Sequence, residues 1–135
     1  MRMPERILLV DDDVDDQHFF CEALGTLHPA ITCEIANDGV EAMEMLEHPP
    51  LYDLIFLDLN MPRMDGFEFL NRVKTNDRFR NIPVVVISTS NRPSDIEKSM
   101  SLGAATYVNK PPTYDQLFHK LKNIFSVDLT NDWGT

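Results

Sequence analysis

The stretch Leu54-Ile55-Phe56-Leu57-Asp58-Leu59-Asn60-Met61-Pro62-Arg63-Met64-Asp65-Gly66 decides the architecture, because it carries a carboxylate out of a buried strand and into a tight loop. Its four leading apolar residues read as a strand covered on both faces, as strands of a parallel sheet are. Pro62 and Asp65-Gly66 then turn the chain. Asp58 stands where the strand ends, a place where an Asp caps a turn as readily as it performs chemistry.

Working outward, a second apolar run, Ile7-Leu8-Leu9-Val10, also ends in acid, at Asp11-Asp12-Asp13-Val14-Asp15-Asp16. Asp13, Asp15 and Asp16 suit the start of a helix, where carboxylates complement the macrodipole, with Asp13 as the N-cap. Asp11 and Asp12 are less well explained in this way, since they belong to the strand end.

Further strands are expected at 31–36, 84–87 and 104–108. Helix starts are marked by capping-box spacings at Asp38 with Glu41, Asp65 with Glu68, Ser94 with Glu97 and Thr113 with Gln116. The last helix carries one apolar stripe, Tyr114, Leu117, Phe118, Leu121, Ile124 and Phe125, for packing on the sheet. Five strands alternating with helices predict an α/β fold: a doubly wound, five-stranded parallel sheet with helices on both faces. In the common order 2-1-3-4-5 the chain reverses between strands one and three, and ligands bind at their carboxyl ends. That topology brings Asp11 and Asp12 beside Asp58.

Three ionised carboxylates in one site repel, at an effective dielectric of 20, by about 4 kcal/mol per pair about 4 Å apart, and need a cation. An oxygen-rich acidic set suits Mg²⁺, which accepts one or two carboxylates plus a substrate phosphate. Strand four ends in Ser88-Thr89-Ser90 and strand five in Asn109-Lys110-Pro111-Pro112, adding hydroxyls and one ammonium to the same rim. A turn hydroxyl and a solvated loop charge are the commoner meanings of Ser88 and Lys110 taken singly. Jointly with the acids they describe a phosphoryl-transfer site. The first loop lacks the Gly, Ser and Thr donors of a flavin mononucleotide site, and no P-loop motif is present.

Composition agrees. The 135 residues carry a net charge of -10 and a pI near 4.6, which argues against sequence-independent binding to nucleic acid or an anionic membrane. No run has transmembrane length and no signal-peptide core is present, so the cytoplasm is the expected compartment. Cys21 and Cys33 fall in different elements without metal-ligand spacing and read as buried free thiols. The four histidines show no ligand pattern.

With these residues in place, the chain resembles the receiver domains of two-component response regulators along nearly its whole length. The likeness rests on Ile7-Leu8-Leu9-Val10-Asp11-Asp12, Leu57-Asp58-Leu59-Asn60-Met61-Pro62 with Asp65-Gly66, Ser88-Thr89, and Tyr107-Val108-Asn109-Lys110-Pro111. The resemblance implies that Asp58 is the phosphoacceptor, that Asp11, Asp12 and Asp58 hold Mg²⁺, and that Asn60 adds its backbone carbonyl. It implies that Ser88 is the switch hydroxyl, Lys110 the lysine beside the phosphoryl group, Tyr107 the aromatic rotamer switch, and Lys110–Pro111 a cis peptide bond. It further implies a sensor histidine kinase or histidine phosphotransfer protein as donor, and a protein target downstream. The readout face is expected on helix four, strand five and helix five.

Three positions depart from the common pattern: Ser88 where many receivers have Thr, Thr89 where a smaller residue is common, and Pro112 after Pro111. Residues 1–127 are expected to form the receiver domain. Residues 128–135 are expected to form a short tail with Trp133 and no output domain, acting as a monomer or weak dimer. Two other readings stand beside this one. An aspartyl-phosphate hydrolase would place an Asp two residues after its nucleophile, where this chain has Asn60. A receiver-like scaffold would need a broken acidic pocket, and this one is complete.

Overall fold

A computed structural model describes residues 4–61 and 63–126. Pro62 and the tail with Trp133 lie outside the described residues. The elements alternate as β1 (Arg6–Val10), α1 (Val14–Leu27), β2 (Thr32–Ala36), α2 (Gly39–Leu46), β3 (Leu54–Leu57), α3 (Gly66–Lys74), β4 (Val84–Ser88), α4 (Pro93–Ser101), β5 (Thr106–Asn109) and α5 (Tyr114–Ile124). The five strands are parallel in the order β2-β1-β3-β4-β5, as the alternation predicts.

Strand alternation divides the core in two. Leu8, Val10, Ile55, Leu57, Val84 and Val86 face α2 and α3 through Ala42, Leu46, Phe69, Leu70 and Val73. Ile7, Leu9, Leu54, Phe56, Val85 and Ile87 face α1 and α5 through Phe20, Leu24, Leu117 and Leu121. All four residues of β3 are therefore fully enclosed, which is why their run has no polar alternation. Each such side chain contributes about 1.5–3 kcal/mol by leaving water.

Four helix starts follow the side chains expected of them or nearly so. Asp13, Asp38, Asp65 and Thr113 each accept a backbone N–H three residues on. Ser94 does not cap α4. Pro93 occupies the first helical position, where its missing N–H costs nothing, and Arg92 precedes it without a side-chain cap. The fifth strand begins at Thr106 rather than Ala104, because Gly103 and Ala104 close α4: their N–H groups bond to Met100 O and Ser99 O. Gly103 sits at φ 106°, the left-handed residue this helix ending requires. Among the described residues no helix is long and apolar enough to cross a membrane.

Candidate functional site

The register of the sheet sets the site. Asp58 N donates to Val10 O and Asp11 N to Ala36 O, so the ends of β1 and β3 are tied level. Asp11 and Asp58 are buried, Asp12 is exposed, and one oxygen from each lies within 4.8 Å of the others. Opposite oxygens around an octahedral Mg²⁺ are separated by about 4.2 Å, so three hard carboxylate donors at this spacing suit a small divalent cation.

Lys110, arriving at the end of β5, completes the charge balance. Its Nζ lies 3.2 Å from Asp11 Oδ2, 3.4 Å from Asp58 Oδ2 and 2.8 Å from Asp16 Oδ2. The bond Lys110 N to Ser88 O, 2.6 Å, holds the β5 end against β4. The expected cis bond between Lys110 and Pro111 is not found. The cis bond among the described residues is Pro49–Pro50, and Lys110–Pro111 is trans. Lys110 reaches the carboxylates with the trans bond that X–Pro pairs ordinarily favour by about 0.5–1 kcal/mol.

Burial and repulsion show in the acids. Burial pushes the Asp11 carboxyl up to about 6, against the opposing pull of the Asp13 N–H and Lys110. Asp58 is likewise raised, first by burial, while Lys110 and the Asn60 N–H oppose the rise. Burial works against the charge on Lys110, but the hydrogen bond to Asp16 and the fields of Asp58 and Asp11 carry it above its ordinary range. The cluster is thus short of positive charge, which is the condition a divalent cation relieves.

The loop after Asp58 is cast tightly. A Cβ on Gly66 would lie 2.5 Å from Leu59 Cα and 2.8 Å from Asp58 O, so only glycine lets α3 start this close to the loop. Gly39, at the start of α2, similarly abuts Met64 O at 2.9 Å. Arg63 stands at φ 64° and its Nε donates to Asp38 Oδ2 at 2.8 Å. The Glu41 N–H, with Arg63, holds the Asp38 carboxyl below its usual range.

On the other side, Ser88 is fully buried and its Oγ accepts from Ser90 N at 3.2 Å. Ser90 O accepts from both Tyr107 Oη, 2.7 Å, and Asn109 Nδ2, 3.2 Å. Ser90 Oγ donates to Asp95 Oδ2 at 2.6 Å. Thr89 is exposed.

Sequence reasoning assigned Asp16 to the helix dipole, yet its carboxylate makes the shortest contact to Lys110. The signal was positional: the first turn of α1 folds back over the strand end that carries Asp11. Gln17 was missed as well. Its Nε2 donates to Asp11 O at 2.6 Å and to Asn37 Oδ1 at 2.8 Å, bracing the acidic strand end.

The chain as a whole is similar to known proteins. The family model described as the response regulator receiver domain matches residues 7–122. Response regulator Rcp1 of Synechocystis sp. is 36% identical over 129 residues, covering 91% of this chain and 88% of its own length. The crystal structure of the Mn²⁺-bound form of Rcp1 superposes with a TM-score of 0.83 at 36% identity, covering 91% of this chain and 93% of that one. That of the phosphorylated cyanobacterial phytochrome response regulator RcpA superposes at 0.85 and 36% identity, covering 90% and 91%. A tied pair of acidic strand ends, a lysine between them and these matches lead to one conclusion: the chain belongs to the response regulator receiver domain family, the phosphoacceptors of two-component signalling.

Proposed function

We propose that Asp58 is the phosphoacceptor and that Asp11, Asp12 and Asp58, with the backbone carbonyl of Asn60, hold Mg²⁺. The observation that carries this is the convergence of three carboxylates within 4.8 Å of one another, with Lys110 Nζ in reach of two of them. When bound, Mg²⁺ would neutralise the carboxylates and the charge on the transferring oxygens. An Asp58 oxygen forms the new O–P bond as the P–N bond of a donor phosphohistidine breaks and the imidazole leaves. Lys110 faces the transferring oxygens and offsets their charge, so these residues contribute positioning and electrostatics.

The donor is a sensor histidine kinase or a histidine phosphotransfer protein. The domain's own chemistry is limited to gaining and losing this phosphoryl group. Ser88 is the hydroxyl that follows the arriving phosphoryl oxygens. Its Oγ now accepts from Ser90 N, so its movement loosens the segment whose carbonyl anchors Tyr107. The altered surface is that of α4, β5 and α5, and its reader is a protein.

The test is intact mass after incubation with acetyl phosphate and Mg²⁺. One phosphoryl group is expected on the native chain and none on Asp58→Asn or with a chelator present. An unmodified native chain that also fails to bind beryllofluoride would overturn the assignment.

A further inference from the structure

The two cysteines of the chain, 12 residues apart in sequence, meet across the α1–β2 interface with their sulfurs 3.7 Å apart. Cys21 lies on α1 and Cys33 on β2, both half-buried and both reduced. Cys33 pairs with Ile7 at the start of β1, four residues before Asp11, so at strand rise the thiols lie about 13 Å along the sheet from the carboxylates. The phosphoacceptor reading makes no use of them. Two sulfurs also fall short of a tetrahedral metal set, and among the described residues the one cluster with metal-binding spacing is Asp11, Asp12 and Asp58.

We propose that Cys21 and Cys33 are a peroxide-responsive dithiol that closes to an intramolecular disulfide bridging α1 to β2. Closing the bond asks the sulfurs to approach by about 1.7 Å, to the 2.05 Å of a disulfide. β2 is the edge strand, paired on one side by β1 alone, so the movement displaces no second strand. The pair also divides the labour chemically. The Cys33 hydrogen bond lowers Cys21 to about 7, against burial, and raises Cys33, which burial raises further. The contact between the sulfurs lets one act as the attacking thiolate while the other keeps its proton and resolves the product.

The steps balance. The thiolate of one cysteine attacks the O–O bond of a hydroperoxide, giving its sulfenic acid and an alkoxide or hydroxide, which takes up the proton that cysteine had released. The thiol of the other cysteine then displaces the hydroxyl of the sulfenic acid, forming the S–S bond and releasing water. Two electrons pass from the sulfur pair to the peroxide oxygens.

The experiment treats the reduced full chain, at low micromolar concentration, with hydrogen peroxide and then iodoacetamide, and reads intact mass. The expected product is a monomer lighter by two hydrogens, free of alkylation and returned to two alkylatable thiols by a reductant. Cleavage after Glu22, which separates the cysteines, must give a pair of peptides joined through them. Cys21→Ser and Cys33→Ser must each abolish the crosslinked product. Disulfide-linked dimers, sulfinic acid without a crosslink, or an unmodified chain would each overturn the proposal. Because the native chain itself is read by mass, the answer does not depend on either variant folding or on Asp58 being phosphorylated.

Discussion

Lys110 Nζ lies closer to Asp16 Oδ2, at 2.8 Å, than to the oxygen of Asp11 or Asp58 it also faces. A residue of α1 therefore helps hold the lysine beside Asp11 and Asp58. The Asp16 side chain is 37% exposed, so solvent screens this pair more than the others. Asp16→Ala is expected to lower stability by about 0.5–1 kcal/mol in urea denaturation while leaving the chain able to take one phosphoryl group. Lys110→Ala leaves Asp11 and Asp58 facing each other and should cost about 3 kcal/mol without metal. Equal losses for the two variants would contradict this ranking.

Asp58→Asn should stabilise the metal-free chain. A neutral amide removes one of three crowded carboxylates, and a gain of about 1–2 kcal/mol is expected at pH 7. Thermal melts in a chelator measure the gain. Adding Mg²⁺ should raise the native midpoint more than that of the variant, because on the proposed metal site the variant lacks a charged ligand.

The pH dependence runs opposite to that of a salt-bridged acid. Asp11 titrates near 6 in the folded chain, above its ordinary 3.8, so the folded state binds the extra proton between those values. Its stabilising contribution is fully present below about pH 4 and is lost as pH rises through 6, a change of about 2–3 kcal/mol. Asp38 and Asp95, whose carboxyls are held low, act the other way, and their contributions fall away in stronger acid. Urea denaturation in a chelator should therefore show a more stable chain at pH 5 than at pH 7.5. A flat or rising profile over that interval would exclude the assigned burial of Asp11.

Tyr107→Phe removes one of two donors to Ser90 O. Asn109 Nδ2 still serves that carbonyl, so the cost should be at the low end for a hydrogen bond, about 0.5–1 kcal/mol. The stronger effect is on mobility. Amide exchange between Ser88 and Ser90 should quicken, and unchanged exchange would mean the phenol hydroxyl does not anchor the segment.

Gly66→Ala should be among the most damaging single-methyl changes in the chain. The added carbon meets backbone rather than a yielding side-chain tip, so α3 must shift away from Leu59. A loss of about 2–3 kcal/mol in denaturation, with weakened metal binding, is expected. A variant as stable as the native chain would show that the helix moves freely.

Most of the sheet was readable because burial of both faces leaves an unbroken apolar run, and both acidic strand ends sit next to such runs. Helix starts were readable where an Asp or Thr could reach back to the backbone, and misread at Ser94 because Pro93 as the first helical residue fixes the start two residues earlier. Asp16 was misassigned for a physical reason. An acid in a first helical turn is favourable with or without a partner, so its type carries no sign of Lys110, 94 residues away. The Cys21–Cys33 contact was invisible for a similar reason. It depends on how α1 lies over the edge strand, and neither element's periodicity encodes that crossing.

The glycine contacts around the loop after Asp58 carry a consequence for how this domain transmits a signal. With Gly39 and Gly66 leaving no room for even a methyl group, and Arg63 pinned to Asp38, that flank behaves as an anvil. On the β4 side, the segment after Ser88 is held at Ser90 by polar bonds to Ser88, Tyr107, Asn109 and Asp95. If Asp58 takes the phosphoryl group as proposed, close backbone contacts lie on one side of it and polar side-chain bonds on the other, and displacement is expected toward α4 and β5. Direction of signalling, on this view, is set by which flank cannot yield.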